Sequence, residues 1–512
     1  MAAVNKIDSN VVGLRYAEED SYKTVSGDEV WQPLDPNSYA DFGGQITTLA
    51  RNPINDGRQR KKGVVTDLEA AGGFNQDLTQ DNLQDILQGF FFADLNTNVE
   101  LAVATVDTGG ATDDYEPASG GDGYVAGDLL FAKGFDDAEN NGLKKVSGVP
   151  TATEVISTTA LTTATGQTGT ISKVGREWAA GVLDVVVTGT WPQITNTAAD
   201  FDTMGWSVGD WIYVGGDVSG AAGDQFLNAG NNGFMRIKTI AAGAITLDKT
   251  QGTMTAESST AETIRIFSGR VLKNLTGSSI SRRTYQLERT LGAPDDASPA
   301  NIQAEYLTGA VPNQAVFNIS TADKVNVDLS FVAATRTTID GPTSLKAGTL
   351  PTLTEGTAFN TSSDVPAIKL AEVVEGSPDQ AALFAYLTDL TITVNNNVSP
   401  NKAIGTLGAF DVTAGTFEVS ASATAYFASV AAVQTVQDND DASLHCHLVK
   451  ENSGITFDLP LVSLADARPD VSQDEAITLP IEMQAATASS IDSATDYTML
   501  MVFWDYLPTA AG

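Results

Sequence analysis

The chain of 512 residues holds one cysteine, Cys446, and two histidines. A single thiol excludes an intrachain disulfide, so the fold must stand on packing or on assembly. A zinc centre needs about four ligands, and His445, Cys446 and His447 sit together with no other cysteine or histidine in the chain. On a strand the two imidazoles would share one face with the thiol opposite. An ordinary strand with one buried thiol is the expectation; a metal site completed by carboxylates is the alternative. Basic side chains are also few. Lys and Arg number 29 against 64 Asp and Glu, a formal net charge of −35. Such a chain does not grip nucleic acid by neutralising phosphates; it stays soluble and repels polyanions. No apolar run approaches the ~18 residues of a bilayer-spanning helix. The stretch Met1 to Asp8 has no signal-peptide h-region, so a cytosolic product without a Sec-type export address is expected.

Charged residues make up only 18%, and Gly, Ala, Thr, Ser, Asn and Asp dominate. Short strands joined by many turns fit this better than long surface helices. Length permits two to four domains. Enzyme signatures are missing: there is no P-loop, no G-x-S-x-G elbow, no H-E-x-x-H and no two-cysteine metal pair. Two histidines on one strand do not make a catalytic triad. No enzyme activity and no cofactor is expected. Carboxylates abound by composition alone, so their pairing carries no weight. The Asp-rich stretches Asp107, Asp113, Asp114 and Asp122, and Asp438 to Asp441, lack EF-hand spacing and read as solvated turns, with calcium as the alternative.

What is present is a repeat. Phe135-Asp136-Asp137-Ala138-Glu139-Asn140-Asn141-Gly142 is echoed by Phe226-Leu227-Asn228-Ala229-Gly230-Asn231-Asn232-Gly233. Each copy follows a Gly-Asp and an apolar run (Gly127 to Phe131, Gly209 to Val214) and precedes a basic-apolar run (Lys144 to Val146, Arg236 to Lys238). A second apolar run comes later, at Val155-Ile156 and at Ala244 to Leu247. The repeat predicts two small β modules, at about 124–175 and 205–266, within an inserted block 101–266. Asn140-Asn141-Gly142 and Asn231-Asn232-Gly233 read as tight turns, because Asn and Gly tolerate positive φ. Val182 to Val187 and Trp191 predict further strand between the modules.

The flanks, 1–100 and 267–512, read differently. Residues 1–50 look polar and strand-poor, with loops over Gln32 to Asn37. A basic island of Arg51, Arg58, Arg60, Lys61 and Lys62 precedes a strand at Gly63 to Ala70 that runs into a Gly72-Gly73 turn. Leu83, Ile86, Leu87 and Phe90 fall on one face of a helix, with Asp81 and Gln84 as a capping box and Phe90 to Phe92 burying its exit. Residues 100–125 carry a Gly- and Asp-rich linker signal. Beyond Phe267 period-two alternation dominates: Tyr285, Leu287, Arg289 and Leu291; Val325, Val327, Leu329 and Phe331; Leu390, Ile392 and Val394; Phe417, Val419 and Ala421; Ile455, Phe457 and Leu459; and finally Leu500 to Trp504.

Two blocks of these flanks resemble the tail tube proteins of long non-contractile-tailed bacteriophages. The first carries Arg58 to Asp67, Gly73 to Thr79 and Asn82 to Phe91. The second carries Tyr285 to Arg289, Tyr306 to Pro312, Asp328 to Val332 and Asn396 to Gly405. No single motif is diagnostic; their order is. The resemblance implies an all-β dominated fold: a β-sandwich or barrel-type tube core with one packed α-helix, interrupted by the tandem modules, which such proteins commonly carry outward. It implies homohexameric rings whose strands join into one inner barrel and which stack into a tube. The implied partners are further copies of the chain and the tape-measure, tail terminator and distal tail proteins. Genomic DNA would transit an acidic lumen without specific binding, and no membrane is involved. Within that picture Arg58, Arg60, Lys61 and Lys62 are expected at a contact to the next subunit or ring, with a merely solvated loop or DNA binding as alternatives. Another phage structural class, such as a capsid or decoration protein, is the nearest rival. A secreted repeat adhesin or surface-layer protein is the second, but the repeats do not continue to an end of the chain.

Overall fold

The computed structural model describes residues 7, 9, 12–52, 54, 59–96, 98–108, 113–220, 222–292, 302–340, 345–353, 356–374, 377–465, 468–488 and 495–512. The fold is all-β dominated and antiparallel, and it forms two compact units. One comprises Met1–Asp94, Gly277–Thr361 and Leu387–Thr424; the other comprises Leu95–Thr276, Ser362–Tyr386 and Ala425–Gly512. These boundaries group the last stretch of the chain with the block that holds the repeats, whereas the sequence pattern divides the chain at 100 and 266.

The first unit contains β1 (Gly13–Glu18), β2 (Gln32–Leu34), β3 (Pro36–Arg51), β4 (Lys61–Asp77), α1 (Gln84–Phe91), β5 (Tyr285–Gly292), β6 (Gln303–Ser320), β7 (Asn326–Ala333), β8 (Thr335–Asp340), β9 (Leu387–Asn395), β10 (Ser399–Lys402), β11 (Ala409–Thr413) and β12 (Glu418–Tyr426). The long β6 belongs to two sheets. Its first half pairs with β5 and β8, and β1 and β2 follow beyond β5. Its second half pairs with β7 and β9, with β4 and β3 beyond β7 and β12 beside β9. The strand changes sheets at Gly309, which adopts φ +61°, where the backbone N–H is held by Glu19 Oε1 at 2.8 Å. A left-handed glycine at the corner of a shared strand lets it bend without breaking the ladders on either side.

Helix α1 packs on this fold as its pattern predicts: Leu83, Ile86, Leu87 and Phe90 are all buried. Phe90 lies 5.3 Å from Phe331, edge to face. Gly89 lets the helix close on Tyr285, since a Cβ there would stand 2.5 Å from that ring. The capping box does not form. The N-cap is Leu83, with no side-chain cap; Asn82 instead accepts from the Thr79 N–H and donates to Asp77 O.

Four further expectations fail in this unit or at its border. Residues 1–50 are not strand-poor, since β1, β2 and the sixteen-residue β3 lie there. Gln32 to Asn37 is not a loop: Pro33 lies in β2, a strand at the edge of its sheet, and Pro36 opens β3, places where a missing ladder N–H is tolerated. Gly72-Gly73 is not a turn: β4 runs straight through it. A Cβ at Gly72 would stand 2.5 Å from Leu307 Cδ1, so these glycines serve close packing. The linker reading of 100–125 fails too, because Glu100–Asp107 and Asp113–Pro117 are paired strands; Gly109 and Gly110 lie outside the described residues.

In the second unit thirteen strands between Glu100 and Ser268 form one antiparallel sheet. The two modules are joined within it, through Gly175 paired with Phe267. Their match is close in detail. Asp128–Lys133 pairs with Gly142–Lys145 as Trp211–Val214 pairs with Gly233–Ala241. Trp191 lies just outside the strand Gln193–Asn196. A second set of strands, Arg270–Lys273, Ala367–Glu372, Ala442–Lys450, Ser453–Ala465, Thr478–Ala485 and Leu500–Trp504, completes the unit. Helix α2 (Val430–Asp438) also belongs here and has no counterpart in the sequence reading. The core includes Leu129, Trp211, Phe234, Val502 and Trp504 in one cluster, so residues from both modules and from the C-terminal strand share one interior. Among the described residues no helix is long and apolar enough to cross a membrane.

Candidate assembly surface

Strand β3 pairs only with β4 among the described residues. Its other edge is a row of backbone donors and acceptors about 50 Å long at ~3.3 Å per residue. An open edge of that length is an aggregation hazard unless another chain covers it. The second unit handles its edges differently: its thirteen-stranded sheet ends in the short strands Glu257–Ser258 and Val155–Ser157.

The distal half of the β3–β4 hairpin is exposed on both faces. Ile46 pairs with Leu68, Thr48 with Val65 and Leu49 with Val64, and Ile46, Leu49, Val64 and Val65 are each more than half exposed. Apolar side chains on both faces of an unsupported hairpin mark a surface that another body completes. The basic island lies at the same end. Arg51, Arg60, Lys61 and Lys62 are exposed; Arg58 lies outside the described residues. The other described cations of the first unit are engaged: Arg15 with Glu288, Arg283 with Glu18 and Asp94, Lys324 with Asp77, Lys402 with Asp67 and Glu69. Arg289 and Arg336 both hold Glu305, Lys23 donates to Ala409 O, Arg282 pairs with Asp411, and Lys346 with Gln286.

One face of the sheet β3-β4-β7-β6-β9 is a carpet of short polar side chains. Asn75 donates to Asn326 Oδ1 at 2.9 Å and to Asp328 Oδ1 at 2.8 Å; Asn318 donates to the same two residues from the other side, at 3.0 and 2.8 Å. Asn37 reaches Asn75 at 3.0 Å. Thr391 and Thr393 continue the face opposite Asn318 and Val316, and Asp389 opposite Ser320. Each amide bridges two neighbouring strands, so the side chains hold one another rather than reach for a ligand. The alternation Asn326, Asp328, Ser330 is visible in the sequence. What is not visible there is that β4, β6 and β9 bring Asn75, Asn318 and Thr391 into the same row.

The repeat turns are structural. Asn141 Oδ1 accepts from Phe135 N at 3.0 Å, and its Nδ2 donates to Phe135 O at 2.8 Å and Asp137 O at 2.9 Å. Asn232 repeats this with Phe226 at 3.0 and 2.8 Å and with Asn228 at 3.2 Å. The buried Asn140 and Asn231 each clamp a later loop segment reciprocally, through Thr162 at 2.8 and 2.8 Å and through Thr255 at 2.9 and 2.8 Å. The reason given for these turns is corrected: Asn141 and Asn232 keep φ at −99° and −115°, and only Gly142 and Gly233 turn positive, at 92° and 115°. The asparagines act through their side chains, which bind the loop back on itself.

His445, Cys446 and His447 lie on the strand Ala442–Lys450, fully inside. The histidines face Trp211 at 5.0 and 4.9 Å between ring centres, with the thiol on the opposite side. Burial pushes His447 down to about 3 and the Cys446 thiol up to about 12. No group of three His, Cys, Asp or Glu residues among the described ones is placed to hold a metal. The Asp-rich stretches read as turns are partly strand, since Asp107, Asp113 and Asp114 belong to Glu100–Asp107 and Asp113–Pro117.

A long open edge, a two-faced apolar hairpin with free cations and a self-satisfied polar sheet face describe a protein built to join others. The family model for phage tail tube protein matches residues 9–485, and the chain belongs to that family, whose members are structural components of the virion tail. The matched span takes in the block 101–266. No curated protein matches the chain.

Proposed function

We propose that this protein is the repeating subunit of a long non-contractile phage tail. Copies of the chain close homohexameric rings through the β3 edge, and the rings stack into a tube that conducts DNA during ejection. The open sixteen-residue edge of β3 carries this reading. Continuing the sheet into a neighbour removes the edge, and closing it into a ring removes every edge of the series. The distal hairpin, with Arg60, Lys61 and Lys62, then reaches the next subunit or ring, where an otherwise acidic chain supplies its counter-charge.

The Asn–Asp face of the same sheet suits the lumen. Its amides are already hydrogen-bonded across strands, and Asp328 and Asp389 give it negative charge. DNA in such a channel is repelled rather than held, because no row of cations is there to displace its counterions. The ends of the tube and its filling would fall to tail terminator, distal tail and tape-measure proteins.

Purified recombinant protein viewed by negative-stain electron microscopy over a concentration series tests the reading. Hollow tubes or six-fold rings are expected. Monomers at every concentration, together with absence of the protein from the tails of purified virions, would overturn it.

A further inference from the structure

We propose that the tip of the β10–β11 hairpin is a second docking element for another copy of this chain, a proposal that rests on the tube reading above. The hairpin forms a two-stranded sheet of its own. Two-stranded hairpins are marginal in water, yet this one is fixed from three directions, at the residues that flank its tip and along β11. Lys23 Nζ donates to Ala409 O at 2.8 Å. Arg282 reaches both Asp411 and Val412 O. Lys402 pairs with Asp67 and, at 3.2 Å, with Glu69. Val412 and Ala409 are buried in a cluster with Phe92, Val311 and Ala334.

Against those fixed points the tip is apolar and bare. Ile404 is fully exposed at 107%, and Leu407 and Phe410 are at least half exposed. Large apolar side chains on a rigid support lose little entropy when another surface covers them, which is how preorganised contacts gain affinity. A solvated loop has no use for them.

Continuity and charge identify the occupant. Lys402 ties the tip to Asp67 and Glu69, which pair with Thr47 and Gln45. Those residues share their hairpin face with Leu49 and its partner Val64, two positions further along β3. The bare tip and the bare hairpin end therefore lie along one surface. Its rim carries the exposed Arg60, Lys61 and Lys62, so its partner is acidic as well as apolar. A second copy of a chain with net charge −35 meets both conditions. Nucleic acid would answer the cations but has no place for Ile404, Leu407 and Phe410.

The test compares wild type with Ile404→Asp/Leu407→Asp and with the uncharged Ile404→Ser/Leu407→Ser, by sedimentation and electron microscopy at matched concentrations. Both variants are expected to keep the wild-type melting temperature and to lose tubes at concentrations where wild type forms them, by tenfold or more in assembled mass. Ile404→Leu is expected to assemble normally. Tubes of unchanged yield and length from the Asp and Ser variants would overturn the proposal while leaving the tube reading intact. Failure of wild type itself to assemble at any concentration, with the protein absent from the tails of purified virions, would overturn that reading and the proposal together.

Discussion

Arg236 and Asp458 form a buried ion pair in the second unit, with Nη1 3.2 and 3.0 Å from the two carboxylate oxygens although 222 residues separate them. The same guanidinium holds Asp248 through Nε and Nη2 at 2.9 and 3.0 Å. Tyr497 donates to Asp458 and to Gly209 O, both at 3.2 Å. One arginine of the second module thus neutralises the partly buried Asp248 and the buried Asp458, the latter on the strand Ser453–Ala465.

Replacing Arg236 by Ala removes the guanidinium that Asp248 and Asp458 share, and leaves Lys249 as a cation acting on both. Breaking one side of a buried pair costs about 3–5 kcal/mol, and Arg236→Met fares little better because both carboxylates remain. Urea denaturation of the two variants is expected to show that loss. A chain deleted for 101–266 is expected to be insoluble, since the deletion uncovers His447, which stacks on Phe234 at 4.1 Å, and Trp504, 5.6 Å from the same ring. A soluble, cooperatively melting deletion variant would mean that the modules are an appendage after all.

That packing marks the limit of what the sequence discloses. The repeat is legible because duplicated loops need the same hydrogen bonds, and Asn141 and Asn232 make them in both copies. The strands at Val325 to Phe331 and Leu390 to Val394 are legible because one face is buried and one is wet. Partnership is not legible. Nothing in Trp211 or His447 announces that they meet, and β3 gives no helpful period because its distal half is exposed on both sides. The β3 edge is hidden in the sequence for that reason, and Gly72-Gly73 reads as a turn there because a glycine admitting Leu307 looks like a glycine making a turn. The basic island was legible as a charge anomaly.

Asn141→Ala and Asn232→Ala test the equivalence of the modules. Each removes three hydrogen bonds from partly buried backbone groups, at about 1–3 kcal/mol for each group left without a partner, moderated where water can enter. A loss of about 2–3 kcal/mol is expected from either, alike within ~1 kcal/mol. Hydrogen exchange should show the opening confined to the altered module's loop. A large cost for one variant and none for the other would mean that only one copy holds the fold.

The second unit should weaken in acid. Burial holds His447 down at about 3 and His445 well below 6.5, the latter also disfavoured by its neighbour His447 and by Lys249, Lys369 and Arg236. The unfolded chain takes up protons near pH 6.5 and the native unit does not, so stability is full above that pH and falls as pH drops toward 3. His447 alone accounts for about 5 kcal/mol. Asp210 acts in the opposite sense. Burial raises it to about 6, and its Oδ1 has no partner, so the native unit binds this proton more tightly than the unfolded chain does. Its contribution is present below about pH 3.8 and lost as pH rises through 6. Asp114, raised to about 6 by burial and by Glu154, acts in the same sense as Asp210, so between pH 4 and 6 the two aspartates offset the two histidines and the net loss of stability falls mainly below pH 4. Asp210→Asn is expected to stabilise at pH 7.5 by a few kcal/mol and to change little at pH 4, while retaining the acceptor for the Ser207 N–H, 2.8 Å from the carboxylate. Equal effects at both pH values would rule out the ionised carboxylate as the cause.

The free cations give the last prediction. Arg60 and Lys61 have no ion-pair partner among the described residues, and both are exposed. Reversing them to Glu removes no internal contact, so the monomer's melting temperature should stay within ~2 °C of wild type, as surface substitutions usually leave stability within ±0.5 kcal/mol. Assembly should respond quite differently. If the hairpin end meets an acidic surface on another copy, reversal turns attraction into repulsion, and like charges brought together cost several kcal/mol. Arg60→Glu/Lys61→Glu is therefore expected to fold normally and fail to form stacked tubes. Raised salt should weaken wild-type assembly and partly relieve the variant, because screening acts on both signs. Normal tubes from the doubly reversed chain at low salt would assign the island to solvent and leave assembly to the β3 edge and the β10–β11 tip.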